Sequence, residues 1–92
     1  MLWAAVIRYG NPEKIQEVRP THRQYLASLR EQGKLWASGP FEDDSGALII
    51  YQADSEAEAR KLIQSDPFYE AGVFQEIVQL KPWRIVFTPP PA

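Results

Sequence analysis

The chain has 92 residues, no cysteine and a formal charge of −2, from 10 Lys and Arg against 12 Asp and Glu. The missing cysteines exclude a disulfide framework and any thiolate metal site, and the interspersed charges argue against a nucleic-acid or membrane-surface partner. A chain this short forms one small domain that buries only about 60 to 65% of its extended surface, yet 45% of its residues are hydrophobic and 12% aromatic, so self-association is the expected outlet.

Leu2 to Tyr9 is rich in branched and aromatic residues and ends at Gly10-Asn11-Pro12, which predicts a first strand. The opening MLWAAVIRYG has too short an apolar core for a signal peptide and lacks a basic leader, and no run reaches the length of a membrane span. A soluble, cytoplasmic protein is therefore expected. Trp3, Ala5, Ile7 and Tyr9 fall on one face of the strand, and Leu2, Ala4, Val6 and Arg8 on the other. Both faces are mostly apolar, so both are expected to be covered.

A first helix is expected from about Arg19 or Pro20 to Gln32, stopped by Gly33. Thr21 and Gln24 offer a capping box at its start, and Pro20 offers a first-turn proline instead. His22, Tyr25, Leu26 and Leu29 form its inner stripe, with Arg23, Gln24, Arg30 and Glu31 outward. Leu35 to Tyr51 then reads as two strands around a polar corner from Phe41 to Gly46. Ser38-Gly39-Pro40 interrupts the first of them, where a strand interior tolerates neither residue type well. We read this break as the floor of a small pocket.

Ser55 and Glu58 make a capping box for a second helix reaching about Gln64. Asp66-Pro67 to Gly72 predicts one extra helical turn, with Asp66 as N-cap and Gly72 as its stop. Val73 to Leu80 is the last strand, closed by Lys81-Pro82-Trp83, with Arg84 to Phe87 as an edge extension. Residues 1–87 thus form the domain, and Thr88 to Ala92 an extended, mobile Pro-rich tail. The order strand, helix, strand, strand, helix, strand predicts an α+β, ferredoxin-like βαββαβ fold. Its four-stranded antiparallel sheet carries two helices on one face, and a second copy covering the bare face gives a homodimer through sheet faces.

The single histidine, His22, is either a core residue bonded to a backbone carbonyl or an acid/base group. Asp66 is a helix cap in the first place, and a cap can also accept from an imidazole, which would make the two an acid/base pair. Arg19 is a solvated side chain or an anion-holding one. Asp43 and Asp44 are turn residues first. Trp36, Trp83, Phe41, Phe68 and Tyr25 are read as core, interface or pocket-lining aromatics. With one histidine and no cysteine, no metal site is expected.

Together, R-P-x-H-x-x-Y-L-x-x-L-x-x-x-G-x-L at Arg19 to Leu35, S-G-P-F at Ser38 to Phe41, G-A at Gly46, D-P-F-x-x-A-G-V at Asp66 to Val73 and K-P-W-R-I-V-F at Lys81 to Phe87 closely resemble the YciI-like family. The resemblance implies a ferredoxin-like protomer paired into a dimeric α/β-barrel, and a cleft whose catalytic histidine and aspartate fall on His22 and Asp66. It places Arg19, Ser38, Gly39 and Pro40 at pocket-lining positions, and Phe68 is added to them as a substrate contact. One branch of the family is similar to enzymes that eliminate chloride from a chlorinated hydroxyquinol. That implies a lyase or isomerase of small aromatic or quinone-like substrates that needs no cofactor. A non-catalytic module binding a small ligand in the same cleft, or a scaffolding dimer with a vestigial pocket, is the competing expectation. The chain departs from the family pattern in its short corner at Phe41 to Gly46 and in one extra residue between Gly72 and Pro82, which predicts a bulge in the last strand.

Overall fold

Asn11 decides how the chain leaves its first strand. In the computed structural model, which describes residues 1–91, β1 spans Leu2–Tyr9. Asn11 then takes a left-handed conformation, with φ 50° and ψ 58°, and its side-chain amide donates to the Ala71 carbonyl at 2.7 Å. The chain is thereby turned straight into helix α1, Pro12–Glu31. The helix begins a good seven residues before the expected start at Arg19 or Pro20. Pro12 occupies its first turn, and Ile15 and Val18 extend the stripe of His22, Leu26 and Leu29 toward the N-terminus. Pro20 lies inside the helix on the exposed side, where the carbonyl left unpaired one turn earlier can turn to water. Thr21 and Gln24 are mid-helix and cap nothing. The C-terminus ends as expected: Gly33 has φ 76°, and Lys34 N donates to Leu29 O at 2.8 Å, closing a Schellman motif.

Strands β2 (Leu35–Pro40) and β3 (Gly46–Gln52) form the hairpin, followed by helix α2 (Glu56–Gln64), the single turn α3 (Pro67–Glu70) and strand β4 (Phe74–Trp83). Ser55 Oγ accepts from Glu58 N at 3.1 Å, whereas the Glu58 carboxylate reaches back to Asp54 N rather than Ser55 N, at 3.2 Å. The sheet is antiparallel in the order β2-β3-β1-β4, a ferredoxin-like α+β fold. β4 runs through Lys81-Pro82-Trp83 rather than closing there, pairing Pro82 with Trp3. An edge strand tolerates a residue without an N–H. Arg84 to Phe87 adds no strand, and Ala92 of the tail lies outside the described residues. The bulge expected in β4 is present twice over, since Val78 and Gln75 are skipped in its register against β1.

Register sorts the side chains. Trp3, Ala5 and Ile7 share a face with Ala47, Ile49 and Tyr51, and all six are buried with Leu26, Leu29, Ile63 and Phe68 in the core. On the opposite face Leu48 and Val78 stay 41% and 50% exposed. Trp36, skipped in the β2–β3 register, meets Trp83 edge to face at 5.7 Å, although their strands lie at opposite edges of the sheet. These two aromatic residues belong to the open face, where Trp83 lines a shallow groove with Met1, Pro82, Arg84 and Val86. Among the described residues no helix is long and apolar enough to cross a membrane.

Gly46 holds the hairpin against β1. A β-carbon there would stand 2.0 Å from the Ile7 carbonyl oxygen and 3.2 Å from Arg8 Cα, both backbone atoms that cannot move aside. Gly46→Ala is therefore expected to lower stability by about 2 to 4 kcal/mol, as overpacking and backbone displacement do. A denaturant melt that moves by less than about 0.5 kcal/mol, the usual range of surface changes, would refute this.

Candidate active site

Three pieces of local structure converge on one side of the sheet. Pro67 cannot continue α2, and it drives Asp66 into an extended conformation, φ −72° and ψ 134°. In that conformation the Asp66 side chain caps α3, its Oδ1 accepting from Phe68 N at 2.8 Å. Gly72, at φ 77°, ends the turn, and the Asn11 bond to Ala71 ties its far end to the start of α1. The tie fixes the height of α1 against α3. His22, two turns into the buried stripe, is thereby brought to Asp66 across 44 positions of sequence.

The contact is close. His22 Nδ1 lies 2.8 Å from Asp66 Oδ1 and 2.9 Å from Oδ2, with His22 6% exposed and Asp66 not exposed at all. A carboxylate only accepts, so in a bond to one Nδ1–H is the donor. The ring stacks on Phe68 with centroids 4.0 Å apart and planes 9° apart, and Phe74 packs edge-on at 5.8 Å. One nitrogen is bonded and one face is covered. Nε2 has no hydrogen-bond partner among the described residues, and it is what His22 has left to offer a ligand.

His22 lines a cavity of about 170 Å³. Ser38, Gly39 and Pro40 form one wall, Leu26, Ala47 and Ile49 supply apolar surface, and Tyr9 and Arg23 complete it. Ser38 and Pro40 pair with Ile49 and Ala47, so their side chains share the helix-covered face, while Gly39 contributes backbone. Two further residues expected at the site do not line this cavity. Phe68 is fully buried and supports the imidazole from behind. Arg19 is outside the lining, its Nη2 bonded to Asp44 Oδ1 at 2.9 Å. Tyr25 donates to the Leu62 carbonyl and Phe41 is exposed, so neither reaches the cavity. Tyr9 and Arg23 were not foreseen there. Tyr9 shares the core-facing set of β1, a usable signal, but an arginine next to the inner stripe gives none.

Tyrosines surround the carboxylate. Burial pushes the Tyr25 hydroxyl up to about 12, with the charge of Asp66 adding and Ser65 opposing. Burial also raises Tyr51 well above the ordinary range and raises Tyr9, where Arg19 works against the shift. All three stay protonated near neutral pH and remain donors. Among the described residues Tyr51 Oη is the one buried side-chain polar atom without a hydrogen bond. No three His, Cys, Asp or Glu side chains come together as a metal site would require, again among the described residues.

The YCII-related domain matches residues 1–84. Protein YciI of Escherichia coli O6:H1 is 33% identical over 85 residues, covering 82% of this chain and 86% of that protein. Protein YjpA of Bacillus subtilis strain 168 is 30% identical over 70 residues, covering 76% and 80%. Among solved structures, 5-chloro-2-hydroxyhydroquinone dehydrochlorinase of Burkholderia phenoliruptrix AC1100, in complex with 2,5-dihydroxybenzoquinone, superposes with a TM-score of 0.77 at 24% identity, covering 91% of this chain and 94% of that one. At that identity the likeness concerns the fold.

Proposed function

The chain belongs to the YCII-related domain family, and from that premise we propose that it is a small enzyme, working without a cofactor, in which His22 and Asp66 move a proton on a single-ring hydroquinone or quinone-like substrate. The observation that carries this reading is the 2.8 Å bond from His22 Nδ1 to Asp66, which leaves Nε2 as a base at the cavity. A carboxylate behind an imidazole fixes its tautomer and stabilises the imidazolium formed when Nε2 takes a proton. The size of the cavity, about 170 Å³, supports a one-ring substrate, since an apolar cavity of about 150 Å³ takes up benzene. The dehydrochlorinase neighbour, acting on 5-chloro-2-hydroxyhydroquinone, supports the class.

On such a ring Nε2 takes the proton of a hydroxyl and returns it to the carbon bearing the leaving group. The oxygen becomes a ketone. The leaving group then departs with its electron pair as a second hydroxyl gives up its proton, so a chlorinated hydroxyquinol loses HCl and becomes a hydroxyquinone. The step needs no oxidant or reductant. Ser38, with its hydroxyl, and the backbone at Gly39 and Pro40 orient the ring, and the absence of cysteine leaves no thiol for an electrophilic quinone product to alkylate. Chloride release from chlorinated hydroxyquinols, together with deuterium uptake from solvent into unchlorinated ones, tests the reading. A protein that does neither is not this enzyme.

We further propose that two copies pair through their open sheet faces, where Leu48, Trp36 and Trp83 are exposed, into a dimeric α/β-barrel. Light scattering should give twice the 10.5 kDa chain mass, and Leu48→Glu should shift the protein toward monomer. A monomer at all concentrations would end this proposal.

A further inference from the structure

We infer that Arg23, not Arg19, selects the substrate by charge, holding an ionised ring oxygen at the mouth of the cavity while His22 works at the other side of the ring. This rests on the acid/base reading above. Arg19 is committed: its guanidinium is bonded to Asp44 and its side chain is only 22% exposed. Arg23 follows His22 directly on α1 and lines the same cavity. It also lines a shallow groove with Gln16, Arg19 and Pro20, but unlike Arg19 it lines the cavity beside His22 and has no hydrogen-bonding or ionic partner among the described residues.

The charge balance of the site gives Arg23 its purpose. The buried Asp66 carboxyl lies directly behind the imidazole, so an anion entering the cavity approaches an acidic group and apolar surface from Leu26 and Ile49. An unpaired anion there would be strongly disfavoured. Arg19 is paired with Asp44 and lies outside the cavity lining. Among the described residues Arg23 is the cationic side chain in the cavity lining, and a guanidinium on a long stem can reach inward while its head stays partly hydrated. The ligand class that fits is a planar ring bearing one ionised oxygen, such as a hydroxyquinone or a hydroxyquinol anion.

Two probes of nearly equal shape separate charge from fit. 2-Hydroxy-1,4-benzoquinone is a vinylogous acid and ionised at neutral pH, and its methyl ether is neutral. By equilibrium dialysis, wild type should prefer the acid, and Arg23→Gln should weaken the acid about tenfold or more, as loss of a charge-assisted bond does, with little effect on the ether. Arg23→Lys should recover most of the loss, and raised salt should weaken the acid only where residue 23 is a cation. Arg19→Gln should leave the ratio of the two affinities unchanged. Equal affinities in wild type, equal losses for both probes, or a change of ratio in Arg19→Gln instead would overturn the inference while the turnover assay still judges the acid/base pair. Charge selection through Arg23 without turnover would leave this inference standing and remove the catalytic one.

Discussion

Replacing His22 by Asn is expected to reduce turnover by about a hundredfold to ten-thousandfold, the range a positioned acid/base group supplies, in a protein that still folds. Asn is chosen because its amide nitrogen falls near the position of Nδ1 and can keep donating to Asp66, while nothing replaces Nε2. A stability cost is expected as well. The imidazole is 6% exposed and stacked on Phe68 at 4.0 Å, so its loss leaves unfilled space and should cost about 1 to 3 kcal/mol. Activity lost through unfolding must therefore be told apart from activity lost through chemistry. Phe68→Leu does that, because it thins the same stack at a comparable cost of about 1 to 2 kcal/mol and touches neither nitrogen of His22. It should keep most of the turnover at temperatures where both variants are folded. If His22→Asn retained turnover within a few-fold of wild type, or if Phe68→Leu lost as much, His22 would be a packing residue and the cavity a binding site without acid/base chemistry.

The same residues show how far the sequence carries. Capping chemistry is local, so Ser55, Asp66-Pro67 and Gly72 were legible as element boundaries, and alternation placed Ala47, Ile49 and Tyr51 on one face of β3 without help from the rest of the chain. The start of α1 was not legible, because proline opens a helix equally well at residue 12 or residue 20. What decides is Asn11 in a left-handed conformation held by the Ala71 carbonyl, a contact across 60 positions. The end of β4 is not legible for a similar reason: Pro82 reads as a terminator unless its strand is known to lie at the sheet edge, which only the order β2-β3-β1-β4 reveals. Within the site, the contact of His22 with Asp66 is among the sequence's own alternatives, whereas the partner of Arg19 and the place of Arg23 are not. Arg19 looked free until the hairpin corner brought Asp44 to it, and Arg23 looked solvent-facing because a long side chain beside a buried stripe can fold back over a cavity that the stripe alone does not show.

Asp66→Asn should produce a loss of turnover out of proportion to its effect on the fold, and the reason lies in what each oxygen does. Oδ1 accepts from Phe68 N at 2.8 Å, and an asparagine oxygen can do the same, so the cap of α3 survives and the stability cost should stay near about 1 kcal/mol. The other position becomes an NH₂ facing His22 Nδ1. An Nδ1–H would face this NH₂ and keep only the oxygen 2.8 Å away that already accepts from Phe68 N, whereas an Nδ1 lone pair accepts from the NH₂, so the tautomer carrying its proton on Nε2 is expected to be favoured. The cavity then faces an N–H instead of a base. Where the analogous change fixes the wrong tautomer in a Ser-His-Asp triad, kcat falls about ten-thousandfold, and a loss approaching that is expected here. Asp66→Ala, by contrast, leaves the Phe68 N–H and the imidazole N–H buried without an acceptor, and should cost about 3 to 5 kcal/mol. The tautomer itself is measurable. With one histidine in the chain, long-range ¹H–¹⁵N correlation spectra assign both ring nitrogens without ambiguity, and they should report Nδ1–H in wild type and Nε2–H in Asp66→Asn. If the proton sat on the same nitrogen in both proteins, or if turnover survived the switch, Asp66 would be a helix cap that happens to touch an imidazole. An unchanged cap with a moved proton and lost turnover would instead make the carboxylate the group that turns a buried histidine into a base.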